Sequence, residues 1–441
     1  MMELYGTSAV NSKGELIIGG VNTLDLAREF GTPLYVYDVA LIRQKAKELK
    51  EVFEQHELNY QIAYASKAFS CVAMIQLVEE EGLSLDVVSG GELYTALAAG
   101  FPPERIHFHG NNKSLEEIEM AVKAKIGCFV VDNFYELQLL ESAAKKYDQI
   151  VSVLIRTTPG VEAHTHDYIL TGQEDSKFGF DLKSGQAEKA IHQLIRHPNF
   201  QLLGLHCHIG SQIFDTTGYV LAVKKLFEAM KQWRDSLQFV PTVLNLGGGF
   251  GIRYSKDDDP LPLADYIHAI ANAVKDEAKK TGMNTPEIWI EPGRSLVGDA
   301  GITLYTVGSE KHLPSIRHYI SVDGGMTDNL RPALYQAKYE AALANRMNDR
   351  IDGNFSIAGK CCETGDMLIW DYPLPKPDQN DILAVFCTGA YGYAMSNNYN
   401  RIPRPAVVFV EHGQAQLVVK RETYKDIISH DLPLKKAVLK S

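Results

Sequence analysis

Eight short apolar runs, rich in β-forming residues, recur along the chain and leave few folds open. They are YQIAYAS from Tyr60, LSLDVV from Leu83, RIHFHG from Arg105, IGCFVVD from Ile126, VSVLIRT from Val151, LLGLHCHIG from Leu202, TVLNLGGG from Thr242 and EIWIEPG from Glu287. Their starts are 23, 22, 21, 25, 51, 40 and 45 residues apart, and the intervening segments read as helices. Ser114 and Glu117 form a capping box ahead of Ile118, Ala121 and Val122, which fall at i, i+3, i+4 spacing. Leu226, Met230 and Trp233 share one face of a helix after Thr217. Continuous apolar strands alternating with helices indicate parallel βαβ units. Eight such units predict a (β/α)8 TIM-like barrel rather than an open sheet.

After about Leu296 the pattern changes to strands without regular helices between most of them: TLYTVGS, RHYISVD, FSIAGKC, DILAVFCTG and a hairpin turning at His412–Gly413. This predicts a C-terminal all-β domain, a β-sandwich or β-barrel. The polar, glycine-punctuated segment PGVEAHTHDYILTGQEDSKFGF from Pro159 reads as an active-site loop. A net charge of −11 disfavours nucleic acid and anionic membrane as partners. Cys71, Cys128, Cys207, Cys361, Cys362 and Cys387 show no zinc or C-x-x-C spacing and read as free thiols of a reducing cytoplasm. The first twenty residues lack a basic-then-apolar block, which argues against a signal peptide. The longest uncharged stretch, Ile382 to Asn400, is too rich in Gly, Asn, Ser and Tyr for a membrane helix.

A barrel of this kind carries its chemistry at the C-terminal ends of its strands, and the reactive residue types gather there. Run one ends in Ser66–Lys67, run three at His109, run five at Arg156, run six in His208–Ile209–Gly210–Ser211, run seven in Gly247–Gly248–Gly249 and run eight in Glu291–Pro292–Gly293–Arg294. A triple glycine is often a plain turn. After strand seven of a barrel it can instead present backbone N–H groups to a phosphate, and Ile252 breaks the dinucleotide spacing. Lys67 reads as a surface residue or, if desolvated at the barrel mouth, as a Schiff-base amine. His206 and His208, two apart in a strand, face one side. They fit core or orienting histidines better than metal ligands, and a flat imidazole could stack on a cofactor ring. Glu291 in an apolar strand needs a partner to remain ionised. Cys361 and Cys362, taken alone, read as small core residues, although Glu363 and Asp366 make that segment unusually polar. Anion cradle, strand-end lysine and buried acid are together the three fittings that pyridoxal 5′-phosphate requires.

These motifs closely resemble the bacterial diaminopimelate decarboxylases, fold-type III pyridoxal-phosphate enzymes related to ornithine and arginine decarboxylases and, in the barrel, to alanine racemase. The resemblance runs over essentially the whole chain: YASKAF at 64–69, LDVVSGGEL at 85–93, HCHIGSQ at 206–212, LNLGGGFGI at 244–252, EPGRSLV at 291–297, DGGMTDNLRPALY at 323–335, CCETGD at 361–366 and GAYGYAMSNNYN at 389–400. The stretch TPGVEAHTHDYILTGQEDSKFGF at 158–180 is specific to the diaminopimelate branch. Thr364 stands where that family commonly has serine, and it keeps the hydroxyl.

The resemblance implies that Lys67 forms the internal aldimine, that His208 stacks on the ring and that Glu291 pairs with the ring nitrogen. Ser211, Gly248, Gly249, Gly293 and Arg294 would hold the phosphate region, with Tyr391 reaching it from the β domain. Arg294, Arg331, Tyr335 and Tyr391 would receive the far end of an amino-acid substrate, Glu363 its ammonium, and Cys362 of the other subunit of a homodimer would donate a proton. The implied organisation is an N-terminal segment, 1–38, packing with the β domain; a cofactor-binding barrel, 39–297; and a β domain, 298–441. The implied reaction is decarboxylation of meso-2,6-diaminopimelate to L-lysine. Decarboxylases of ornithine, arginine or carboxynorspermidine act on a cationic far end without a carboxylate, which Arg331 would repel. A racemase is disfavoured by the CCETGD segment. A non-catalytic pyridoxal-phosphate carrier would typically be a barrel alone, and a metal-dependent barrel hydrolase would have to use His206 and His208.

Overall fold

The computed structural model describes residues 4–161 and 176–434. These fall into two compact units. One comprises the residues up to Gly6, Asp38–Gly301 and Cys387–Ala394; the other comprises Thr7–Tyr37, Ile302–Phe386 and the residues from Met395 on.

In the first unit every apolar run is a strand: β1 (Tyr60–Ala65), β2 (Ser84–Val87), β3 (Ile106–Phe108), β4 (Cys128–Val131), β5 (Val151–Thr158), β6 (Phe200–His206), β7 (Val243–Asn245) and β8 (Glu287–Ile290). Each pairs in parallel with the next, and β8 closes on β1 through Ile288↔Tyr60 and Ile290↔Ile62. The result is a closed eight-stranded barrel. After β2, β3 and β4 the sequence supplies caps that start the following helices. Ser89, Ser114 and Asn133 each accept a hydrogen bond from the backbone N–H three residues on, and the Ser114–Glu117 capping box is complete.

Alternation along the short strands divides the barrel interior into layers. Cys128, Val130, Leu154, Val243 and Trp289 form an apolar cluster, and the His107 ring stacks on Trp289 at 4.3 Å. Asp86, His206 and Asn245 are buried at or next to the C-terminal ends of β2, β6 and β7. Between β5 and β6, Phe180–Asp181 adds a short parallel strand to β5. Residues 162–175, most of the expected active-site loop, lie outside the described residues.

The second unit is built on a largely antiparallel sheet. Its order is Met367–Leu374, Gly353–Ala358, Arg317–Val322, Gly301–Leu313, Leu34–Asp38, Ala406–Glu411 and Gln414–Val419, and Ala341–Leu343 and Ile382–Val385 pair beside this path. The hairpin turns at His412–Gly413, both at positive φ, as expected. Several strands had no sequence assignment, among them Leu34–Asp38, Met367–Leu374, Ala341–Leu343 and the short N-terminal strands Ala9–Val10, Leu16–Ile18 and Val21–Asn22. The unit boundaries also differ from 38/39 and 297/298. Residues 387–394 belong with the barrel, where Gly389 N–H donates to Gly298 O (3.0 Å) and Tyr391 N–H to Ala68 O (2.8 Å). Among the described residues, no helix is long and apolar enough to cross a membrane, and the six cysteines are free.

Candidate active site

Glu291 leaves β8 into the top of the barrel, where its carboxylate is buried and held from several sides. Asn245 Nδ2 donates to Oε1 at 2.6 Å, and His206 Nε2 lies 3.1 Å from Oε2. His109 Nε2 lies 3.1 Å from Oε1 and 3.4 Å from Asp86 Oδ1. Burial alone would raise the acid, but the two imidazoles, above all His109, hold Glu291 well below the usual carboxylate range. Asp86 shows the opposite outcome: burial and the Glu291 charge push it up to about 7. Three of a carboxylate's roughly four lone-pair positions are thus engaged on Glu291, which leaves room for one further donor. The donor atoms of His109, His206 and Glu291 lie within 4.8 Å of one another, a spacing that could hold a metal ion, but the contacts among them already account for the arrangement. His206 and His208 do not converge on one point: His206 faces Glu291, whereas His208 Nδ1 accepts from Gly248 N–H at 3.3 Å. Burial, followed by the charges of Lys67 and Arg156, keeps His208 well below the ordinary histidine value, so its ring is neutral.

The glycine run beside His208 is required by space. Gly249 has φ +102°, and a Cβ there would lie 2.4 Å from Gly210 O; Gly247 has φ +68°, and a Cβ there would meet His208 Nδ1 at 2.7 Å. Facing this run, Arg294 opens a short helix, Arg294–Val297, after Gly293. Its Nη2 donates to Ser211 Oγ at 3.0 Å and its Nη1 to the Tyr254 hydroxyl, while the guanidinium lies 4.9 Å from the Tyr391 ring centroid. The buried Arg294 Nε has no hydrogen-bond partner among the described residues. A cation with a spare, buried donor beside backbone free of Cβ atoms suits an anion such as a phosphate. Lys67 sits in the turn Ser66–Ala68 directly after β1, exposed between two buried neighbours. Lysine, anion cradle and buried carboxylate therefore all belong to one end of one barrel, and they fit the three needs of pyridoxal phosphate.

Tyr391 belongs to this unit, which corrects its expected place in the β domain. The other residues singled out lie in the second unit. Arg331 is buried and opens the short helix Arg331–Tyr335, with its guanidinium 6.0 Å from the ring of the exposed Tyr335. Cys361 is buried and Cys362 exposed, its N–H donating to Asn400 Oδ1 at 2.8 Å, and Glu363 is exposed. Buried Asp366 fixes this turn by accepting from Cys361 N–H (2.8 Å) and Met326 N–H (2.6 Å). Sequence reasoning gave no role to Asn245, Asp86, Tyr254 or Asp366. A polar residue inside an otherwise apolar strand was the available signal for Asn245 and Asp86; nothing local marks Tyr254.

Residues 39–298 match the family model of the pyridoxal-dependent decarboxylase, pyridoxal binding domain. The chain is 68% identical over 437 residues to the diaminopimelate decarboxylase of Bacillus subtilis (strain 168), covering 99% of this chain and 100% of that one.

The chain belongs to the diaminopimelate decarboxylase family.

Among solved structures it is similar to the diaminopimelate decarboxylase of M. jannaschii in complex with L-lysine, with TM-score 0.90, 36% identity and coverage of 97% and 98% of the two chains. The Helicobacter pylori diaminopimelate decarboxylase complexed with L-lysine follows at TM-score 0.85 and 32% identity, covering 92% and 98%. This member of the family is a carboxy-lyase whose cofactor is pyridoxal phosphate.

Proposed function

We propose that this chain converts meso-2,6-diaminopimelate to L-lysine and CO2, the last step of lysine biosynthesis, as a cytoplasmic homodimer with active sites at the subunit interface. The observation that carries the reading is Glu291, a buried carboxylate kept charged and left one open position beside an anion cradle and a strand-end lysine. Pyridoxal phosphate, when bound, supplies an electron sink for the pair left behind by departing CO2.

The chain's own residues do the rest. Lys67 would attach the cofactor, Glu291 would keep its ring nitrogen protonated and neutral His208 would face its ring. Ser211, Gly248, Gly249, Gly293, Arg294 and Tyr391 would hold its phosphate region. The far end of diaminopimelate is a zwitterion and needs both signs of charge. Arg294, Arg331, Tyr335 and Tyr391 meet its carboxylate region, and Glu363 meets its ammonium. The reaction replaces a carboxylate by a proton. The Cys362 thiol delivers that proton to the carbon and recovers one from solvent, a general-acid role. Through its exposed turn Cys362 serves the barrel of the partner subunit.

Two measurements test this reading. Borohydride reduction of the holoenzyme should fix the cofactor on Lys67, and CO2 release across a panel of diamino acids should be highest with meso-diaminopimelate. An adduct mapped to another lysine, or faster release from ornithine or arginine, would overturn it.

A further inference from the structure

His109 has no place in the roles assigned so far, yet it stands at the centre of the buried cluster. Its Nε2 faces two carboxylates at once, Glu291 Oε1 at 3.1 Å and Asp86 Oδ1 at 3.4 Å. All three side chains are nearly fully buried. Two carboxylates this close in a low-dielectric interior cannot both be charged unless a cation lies between them. The other ionisable groups near the cluster do not supply that cation at the same place. His206 packs edge-on to His109 at 5.0 Å, and burial lowers it to about 4; His107 Nδ1 lies 3.7 Å from Asp86 Oδ1, but burial lowers His107 to about 3 and leaves it neutral. Arg156 from β5 and Lys67 from the turn after β1 act on members of the cluster through their charge, but no contact within ion-pair distance joins either of them to Glu291 or Asp86 among the described residues. Burial opposes the charge on His109 too, but Glu291 and Asp86 outweigh it and push His109 up to about 9.

We infer that His109 is a positioning residue which, by bridging Asp86 and Glu291, keeps a proton on the ring nitrogen of the cofactor instead of on Glu291. This rests on the reading that the barrel holds pyridoxal phosphate with Glu291 at that nitrogen. The physical reason is local. Without the imidazolium, a buried Glu291 held only by neutral His206 and Asn245 takes the proton itself. The ring nitrogen then becomes a neutral acceptor, and its power to draw electrons falls.

The test uses holoenzyme loaded with cofactor labelled with 15N at the ring nitrogen, whose chemical shift reports protonation directly. Wild type should show a protonated nitrogen at neutral pH, and H109Q and H109N should show it shifted toward the unprotonated value with the Lys67 attachment intact. In the same variants kcat should fall on the order of tenfold to a hundredfold, the loss of one charge-assisted hydrogen bond, with KM nearly unchanged. A protonated nitrogen in wild type and variants alike would overturn the inference while leaving the Glu291 reading standing. An unprotonated nitrogen in wild type would overturn the Glu291 reading and this inference with it. Should neither variant fold, the 15N shifts of the His109 ring in wild-type holoenzyme decide: an imidazolium bridging Asp86 and Glu291 should carry protons on both ring nitrogens at neutral pH, and a neutral imidazole there would overturn the inference.

Discussion

In the barrel unit Glu291, His206, His109 and Asp86 are buried and partnered within the unit, whereas in the second unit Cys362, Glu363 and Tyr335 stand exposed on turns. Arg331 and Asp366 are the buried exceptions there, and Asp366 braces the turn that carries Cys362. The contrast separates two ways of building a site. Buried polar groups are held by their neighbours, so they are preorganised, and removing one disturbs stability as well as chemistry. Exposed groups cost the fold little and act only when something docks against them.

The largest expected effect lies on the exposed side. Cys362→Ala should lower kcat by about 10²–10⁴-fold, the usual range for a general acid, while the melting temperature and cofactor content stay at wild-type values. Mixing inactive Lys67→Ala and Cys362→Ala chains sharpens the comparison. If the two residues act across subunits, a mixed dimer has one intact site, and random reassortment returns about a quarter of wild-type activity. Confirmed heterodimers without activity would place both residues' action within one chain.

Next comes the buried side. Glu291→Ala removes one of the two carboxylates facing the His109 imidazolium and leaves buried His206 and Asn245 without their partner, and it should cost about 3–5 kcal/mol of folding free energy, seen in denaturant titrations. The exposed Glu363→Ala should leave the same curve unmoved and raise only KM. Equal stability losses would break the comparison.

Arg331→Ala should reduce kcat/KM for diaminopimelate by about ten- to a hundredfold, as expected for losing a charge-assisted contact worth about 1.5–3 kcal/mol. An unchanged kcat/KM would show that Arg331 does not read the substrate.

The last effect concerns pH: the second unit has a buried acid of its own. Burial raises Asp328 from 3.8 to about 7, softened by hydrogen bonds from the Tyr305 hydroxyl and Gly325 N–H. The folded state therefore binds this proton more tightly than the unfolded chain. The resulting stability is fully present below pH 3.8 and is lost as the pH rises through about 7. The unfolding free energy of wild type should fall in that window relative to Asp328→Asn, with a slope of at most about 1.4 kcal/mol per pH unit. Parallel pH profiles for the two proteins would refute the assignment.

Much of the barrel was legible from one dimension because its signal is local: continuous apolar runs recurring with helical segments between them, and a capping box at Ser114–Glu117. Leu34–Asp38 was not recognised as a strand because it joins a sheet whose other strands come from residues after 300, so nothing local announces its partners. Met367–Leu374 escaped because its exposed Trp370 and Asp371 blur the alternation that marks a half-buried strand. Residues 387–394 read as part of the β half, yet their backbone hydrogen bonds run to Ala68 and Gly298.

The sequence by itself determined the closed parallel barrel and the strand-end positions of the lysine, the glycine run and the buried acid, because strand pattern and strand-end position are properties of neighbouring residues. Only the tertiary structure decided what surrounds that acid. His109, His206, Asn245 and Glu291 come from four strand ends as far as 182 residues apart, 291 − 109. Whether a carboxylate is charged depends on how near those groups come and how little water reaches them, and both follow from closure of the barrel.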